Sequence, residues 1–137
     1  MKRYNVIAVF SPDGGKWLMC RRVKPPYEGL FNLVGGKIEP GEDGEEAAYR
    51  ELFEETGIGR AQISLSMALN FEFPINGYSV EFWVGQLREE TPVRAEKNPL
   101  SWLPVTENYF DTTRFAGRGN LGCLLLELSA HGIPEKR

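Results

Sequence analysis

The feature that most constrains this chain is an acidic stretch bracketed by glycines, Gly36 to Ile58, GKIEPGEDGEEAAYRELFEETGI. Glu39, Glu42, Asp43, Glu45, Glu46, Glu51, Glu54 and Glu55 are opposed there only by Lys37 and Arg50. Carboxylates at this density repel one another, so a folded chain needs something that keeps them together. A hard divalent cation, which takes oxygen ligands, is the usual agent. The alternative is a solvated acidic helix. Such a helix would not need glycines at fixed offsets on either side.

The second half of the stretch carries helix signals. Asp43 suits the N-cap, Glu46 closes a capping box, and Gly57 suits the residue that ends the helix. At roughly 100° per residue, Glu51, Glu54 and Glu55 fall within an arc of about 100°. Ala48, Tyr49, Leu52 and Phe53 fill a neighbouring apolar arc. The pattern predicts a helix that packs by one face and presents three carboxylates to one point beside it, with small Ala47 leaving room there and Arg50 bordering Glu54.

These residues resemble the signature of the Nudix hydrolases. The shared pattern is Gly, five residues, Glu, seven residues, Arg-Glu, apolar, any residue, Glu-Glu, any residue, Gly, apolar. Gly36, Glu42, Arg50, Glu51, Leu52, Glu54, Glu55, Gly57 and Ile58 fill it without a miss. The resemblance implies an α/β fold, an α/β/α sandwich with a mixed sheet between helices. It implies hydrolysis of a nucleoside diphosphate linked to another group, with Mg²⁺ (or Mn²⁺) as the cofactor. The implied metal ligands are the Gly35 carbonyl, Glu51, Glu54 and Glu55, with Gly36 and Lys37 at the substrate. Glu51 is the first candidate for general base and Glu96 the second. One position departs from the common pattern: Val34 stands where many members carry proline before the glycine pair.

Further positions resemble the MutT-like branch. Glu96, three residues before Pro99, matches a loop glutamate that helps bind metal or water; a surface glutamate is the alternative. Asn120 matches an asparagine that hydrogen-bonds a purine, and an amide carries both donor and acceptor for that task. It is equally a good helix N-cap. Phe73 matches a ring that stacks on the base, with a core position as the alternative. Arg21 and Arg22 are adjacent on a strand and so point to opposite faces. Arg22 is taken as the one facing the phosphates. The only histidine, His131, lies near the end of the chain, which leaves Ser-His-Asp catalysis without a base.

The rest of the chain supports one domain over residues 1–137. The length suffices for a real core, and the net charge of −3 argues against non-specific nucleic-acid binding. No apolar run approaches the ~18 residues of a membrane span. The basic start, MKRYNVIAVF, reads as a strand rather than a signal peptide. Cys20 and Cys123 sit in apolar patterns without metal spacing and read as reduced core thiols, so a cytoplasmic protein, monomer or homodimer, is expected. Strands are predicted over 4–10 (central), 17–22, 30–34, 65–73, 78–87 and 100–105, with a hairpin turn at Pro74-Ile75-Asn76-Gly77. Residues 106–119 read as irregular, 120–130 as a helix and 131–137 as a frayed tail. The substrate expectation is a nucleoside triphosphate, such as the oxidised purine 8-oxo-dGTP, cleaved to monophosphate and pyrophosphate. A dinucleotide polyphosphate, a nucleotide sugar, ADP-ribose and a non-catalytic nucleotide sensor are the alternatives.

Overall fold

A computed structural model describes all residues, 1–137. The elements follow as β1 (Lys2–Phe10), β2 (Lys16–Arg21), β3 (Phe31–Ile38), α1 (Gly44–Thr56), β4 (Ser66–Phe73), β5 (Tyr78–Gln86), β6 (Leu100–Pro104) and α2 (Asn120–Ala130). They build one six-stranded sheet in the order β4-β5-β1-β3-β2-β6. β1 runs parallel to β5 and antiparallel to β3, so the sheet is mixed and β1 is central in it. The near-continuous apolar sequence of β1 follows from that place, since a central strand is covered on both faces.

Strand alternation sorts the core into two layers. Ile7 and Val9 pack with Ala48 and Leu52 of α1. Ala8 and Phe10 pack with Leu121, Leu124 and Leu128 of α2. The sheet is thus sandwiched between the two helices, as the resemblance implied.

Three expectations need correcting. The third strand does not stop at Val34: β3 continues through the glycine pair to Ile38, because Gly35, Gly36 and Lys37 pair with Val6, Asn5 and Tyr4 of β1. The chain end is not frayed. The Gln86 side chain donates to the Glu135 carbonyl and accepts the Glu135 N–H, both at 2.9 Å, and the Arg137 N–H donates to the Asp13 carbonyl at 3.2 Å. Cys20 is a buried thiol, but Cys123 is exposed on α2.

Candidate active site

α1 begins and ends where its sequence dictates. The Asp43 carboxylate accepts the Glu46 N–H at 3.3 Å, and Gly57, at φ 81°, donates its N–H to the Phe53 carbonyl. The reciprocal half of the capping box is absent, since the Glu46 carboxylate pairs with Arg60 at 2.9 Å instead. Ala47, Ala48, Leu52 and Thr56 are buried, whereas Phe53 is 52% exposed. The helix is therefore rotated from the expected setting. Phe53 falls outside the packed face and Ala47 inside it. The same rotation turns Glu51 and Glu55 inward, toward β3.

The glycine pair makes room for them. The Gly35 N–H donates to Glu55 Oε2 at 2.8 Å. A Cβ on Gly36 would lie 2.5 Å from the Glu51 carboxyl carbon, and one on Gly35 would lie 2.1 Å from the Asn5 carbonyl oxygen. Asn5, a polar residue 2% exposed in the middle of β1, accepts the Gly36 N–H on Oδ1 at 2.9 Å. Its Nδ2 is buried and has no partner.

Arg50 ties the centre together. Its Nε and Nη2 grip the two Glu42 oxygens at 2.7 and 2.9 Å, a bidentate pair. Its Nη1 reaches Glu51 at 3.0 Å and Glu54 at 3.3 Å, and Nη2 also reaches the Lys37 carbonyl at 3.1 Å. The guanidinium holds the Glu42 carboxyl down at about 2, and the carboxylates in turn push the Arg50 pKa up. No three acidic, histidine or cysteine side chains are gathered close enough to hold an ion by themselves. The expected convergence of three carboxylates is instead an inward pair, Glu51 and Glu55, with the half-exposed Glu54 at its rim on Arg50.

Burial dominates the electrostatics of the pair. It pushes the Glu55 carboxyl up to about 7, aided by the charges of Glu51 and Glu96 and opposed by the Gly35 N–H and Arg22. Burial likewise raises Glu51, against the pull of Arg50. Two inward carboxylates driven toward their neutral forms, packed against the Gly35–Gly36 backbone, are a set of hard oxygen donors short of positive charge. Such a set suits a divalent cation.

Arg22, just past β2, and Glu96, exposed in the loop before β6, both act on Glu55. Arg22 Nε is buried and has no partner. Arg21 faces the other way, donating to the Gly29 carbonyl with its guanidinium over the Phe31 ring. Lys37 is exposed and directly opposite Tyr4, so its side chain shares the Tyr4 face and points away from the carboxylates.

Phe73 and Asn120 meet in a cavity of about 560 Å³ on the α2 face of the sheet, lined also by Phe71, Tyr78, Phe82 and Glu127. Phe73 stacks on Tyr78, with ring centroids 4.9 Å apart, and is not a core residue. Asn120 does not cap α2. Gly119 takes the cap position at φ 90°, and no side chain caps the helix there. Tyr4 links the two regions: its ring meets Tyr78 of the cavity edge-on at 6.1 Å, and its strand partner is Lys37. A cavity of about 640 Å³ between residues 105–110, the outer side of α2 and residues 132–136 contains none of the residues singled out in the sequence.

Sequence reasoning missed Asn5, Tyr78 and Glu127. Asn5 had a signal, a lone amide inside an apolar central strand, which must be hydrogen-bonded to be tolerated. Tyr78 and Glu127 enter only through the packing of β4, β5 and α2.

Comparison with known proteins agrees with this arrangement. A family model described as the NUDIX domain matches residues 1–121. The chain is 42% identical over 107 residues to the 8-oxo-dGTP diphosphatase of Escherichia coli, covering 77% of this chain and 83% of that protein. It is 46% identical over 63 residues to the RNA pyrophosphohydrolase of Caulobacter vibrioides, covering 44% of this chain and 36% of that one. The Ap4A hydrolase of C. elegans shares the fold, with a TM-score of 0.72 at 23% identity over 96% of this chain and 97% of that one. An acidic helix set against a strand-borne glycine pair, under a family match that spans most of the chain, places this protein in the NUDIX family as a MutT-like pyrophosphohydrolase.

Proposed function

We propose that the protein hydrolyses a nucleoside triphosphate, an oxidised purine such as 8-oxo-dGTP above all, to the monophosphate and pyrophosphate, with Mg²⁺ (Mn²⁺ as substitute) as cofactor. The observation that carries the substrate assignment is that Phe73 and Asn120, far apart in sequence, line one cavity. A ring and an amide together can stack on a base and read its edge. The similarity to an 8-oxo-dGTP diphosphatase supports the same reading.

A bound Mg²⁺ would neutralise phosphate charge and acidify the attacking water. Glu51, Glu55, Glu54 and the Gly35 carbonyl would hold it, with Glu96 at the edge. Water attacks one phosphorus of the α–β anhydride in line. The bond from that phosphorus to the bridging oxygen breaks, and the electron pair leaves on that oxygen. The water proton passes to a carboxylate, Glu51 first and Glu96 second. Arg50 orients Glu51 and Glu54. Arg22, with its buried unpartnered Nε, supplies positive charge for the phosphate chain, and Lys37 and Gly36 flank the path to the base cavity. Neither cysteine is in a disulfide, which suits the cytoplasm, and no helix is long and apolar enough to cross a membrane.

Steady-state kinetics on dGTP, 8-oxo-dGTP, the pyrimidine nucleotides dCTP and dTTP, diadenosine polyphosphates and ADP-ribose, for wild type and Asn120→Ala, test this. A triphosphate should give the highest kcat/KM. Asn120→Ala should raise KM more for purine than for pyrimidine nucleotides, by an amount within the about 1–3 kcal/mol of a lost base contact. A kcat/KM for ADP-ribose or a dinucleotide tenfold above every triphosphate would overturn the substrate assignment and leave the reaction class standing. Binding without turnover of any member would favour a nucleotide sensor.

A further inference from the structure

One buried acid lies outside the chemistry described so far. Glu81, on β5, is 7% exposed. Its Oε1 accepts the Trp83 Nε1–H at 3.0 Å, and its Oε2 accepts Arg3 Nη2 at 2.9 Å. Gly44, the first residue of α1, packs so tightly on it that a Cβ there would lie 2.4 Å from Oε1. An ion pair between a buried carboxylate and a partly exposed guanidinium is poor evidence for a stabilising role, because desolvation of the acid and solvent screening at the arginine offset much of the attraction. What else Arg3 holds explains the pair better.

Arg3 Nη1 donates to the Glu42 backbone carbonyl at 3.1 Å. Glu42 is the residue whose carboxylate grips Arg50, and Arg50 grips Glu51. One guanidinium therefore joins β1 and β5 to the turn that leads into α1, and the side chain of that turn sets the arginine that sets Glu51. Two residues along β1, on the same face, Asn5 holds the Gly36 N–H. The central strand thus fixes both walls of the carboxylate centre, the Glu42 turn through Arg3 and the glycine pair through Asn5.

We infer that Arg3, held in place by Glu81, is a positioning residue for hydrolysis: it fixes the Glu42 turn so that Arg50 holds Glu51 against Gly36. The inference rests on Glu51 belonging to the reactive centre, as proposed above. Partners that orient metal ligands from behind are worth typically 10–100-fold in metal affinity or activity. Arg3 is one link further out, so the lower end of that range applies.

The test uses Arg3→Met, Glu81→Gln and the double variant. Arg88→Met is the control, since Arg88 donates to Ala61 and Ser64 and touches nothing in the centre. Measured are kcat, KM, the unfolding midpoint and the affinity for Mn²⁺ alone. Each single variant should lose roughly tenfold in kcat and bind Mn²⁺ more weakly, with KM little changed. The double variant should be no worse than the poorer single, because both break one link. Arg3→Lys keeps the charge but loses the planar fork; it should fold and fall in between, and with Glu81→Gln it decides the matter if Arg3→Met does not fold. A fall in midpoint with kcat and Mn²⁺ affinity at wild-type levels, as expected for Arg88→Met, would overturn the inference. So would additive losses in the double variant. Should Glu51→Gln itself leave turnover intact, the underlying reading of the centre fails, independently of what Arg3 does.

Discussion

Glu55 is the carboxyl that burial pushes furthest toward its neutral form. Its carboxyl is held near 7 by burial, against an ordinary value of 4.5. A carboxyl raised in the folded state favours folding while neutral, so that contribution is complete below about 4.5 and is lost as pH rises through about 7. The gap corresponds to at most about 3 kcal/mol. In chelator, Glu55→Gln should therefore match wild type at pH 4 and be the more stable protein at pH 8, as measured by denaturant unfolding at the two values. Equal stabilities at pH 8 would mean that Glu55 is solvated rather than buried. The identity of this glutamate was legible in the sequence through its spacing from Gly36 and Arg50. Its burial was not, because that depends on a helix rotation that the amphipathic pattern placed wrongly at Phe53. Asn120 went the opposite way: a capping role was legible but absent, because Gly119 already turns the chain at the start of α2.

At the scale of elements, the decisive contact is between α1 and β3. The glycine pair lies inside a paired strand rather than in a loop after it, and its two members do different work. A side chain at Gly36 meets the flexible end of Glu51, whereas one at Gly35 meets the backbone oxygen of Asn5. Gly36→Ala should consequently fold, with a stability cost within the about 1–3 kcal/mol of overpacking, and lose turnover because Glu51 is displaced. Gly35→Ala should lose more stability than Gly36→Ala, because β1 and β3 must move apart. Melting curves and kcat for the two variants separate these effects; a Gly36→Ala enzyme with wild-type kcat would show that the Glu51 position does not matter. The strands and helices themselves were largely legible, since alternation in β5, the turn at Pro74 to Gly77 and the caps of α1 are local signals. The extension of β3 was not legible, because it is imposed by pairing with β1, a partner some thirty residues away.

Across the whole molecule, the sheet separates two tasks. The α1 side carries the carboxylates and their arginine, and the α2 side carries an aromatic cavity with an amide at its wall. The Tyr4–Lys37 register on β1 and β3 lies between them. That division follows from strand alternation applied to one central strand, with polar Arg3 and Asn5 on one face and Tyr4 and Val6 on the other. The ordered chain end was illegible for a related reason, as its bonds run to Gln86 and Asp13, far back in the sequence. What this arrangement can do is tested most directly by the products formed from 8-oxo-dGTP in ¹⁸O-labelled water, followed by phosphorus NMR and mass spectrometry. Nucleoside monophosphate and pyrophosphate should form in equal amounts with Mg²⁺, with one label per turnover, and chelator should abolish the reaction. Release of orthophosphate and nucleoside diphosphate, or equal turnover in chelator, would contradict the proposed hydrolysis.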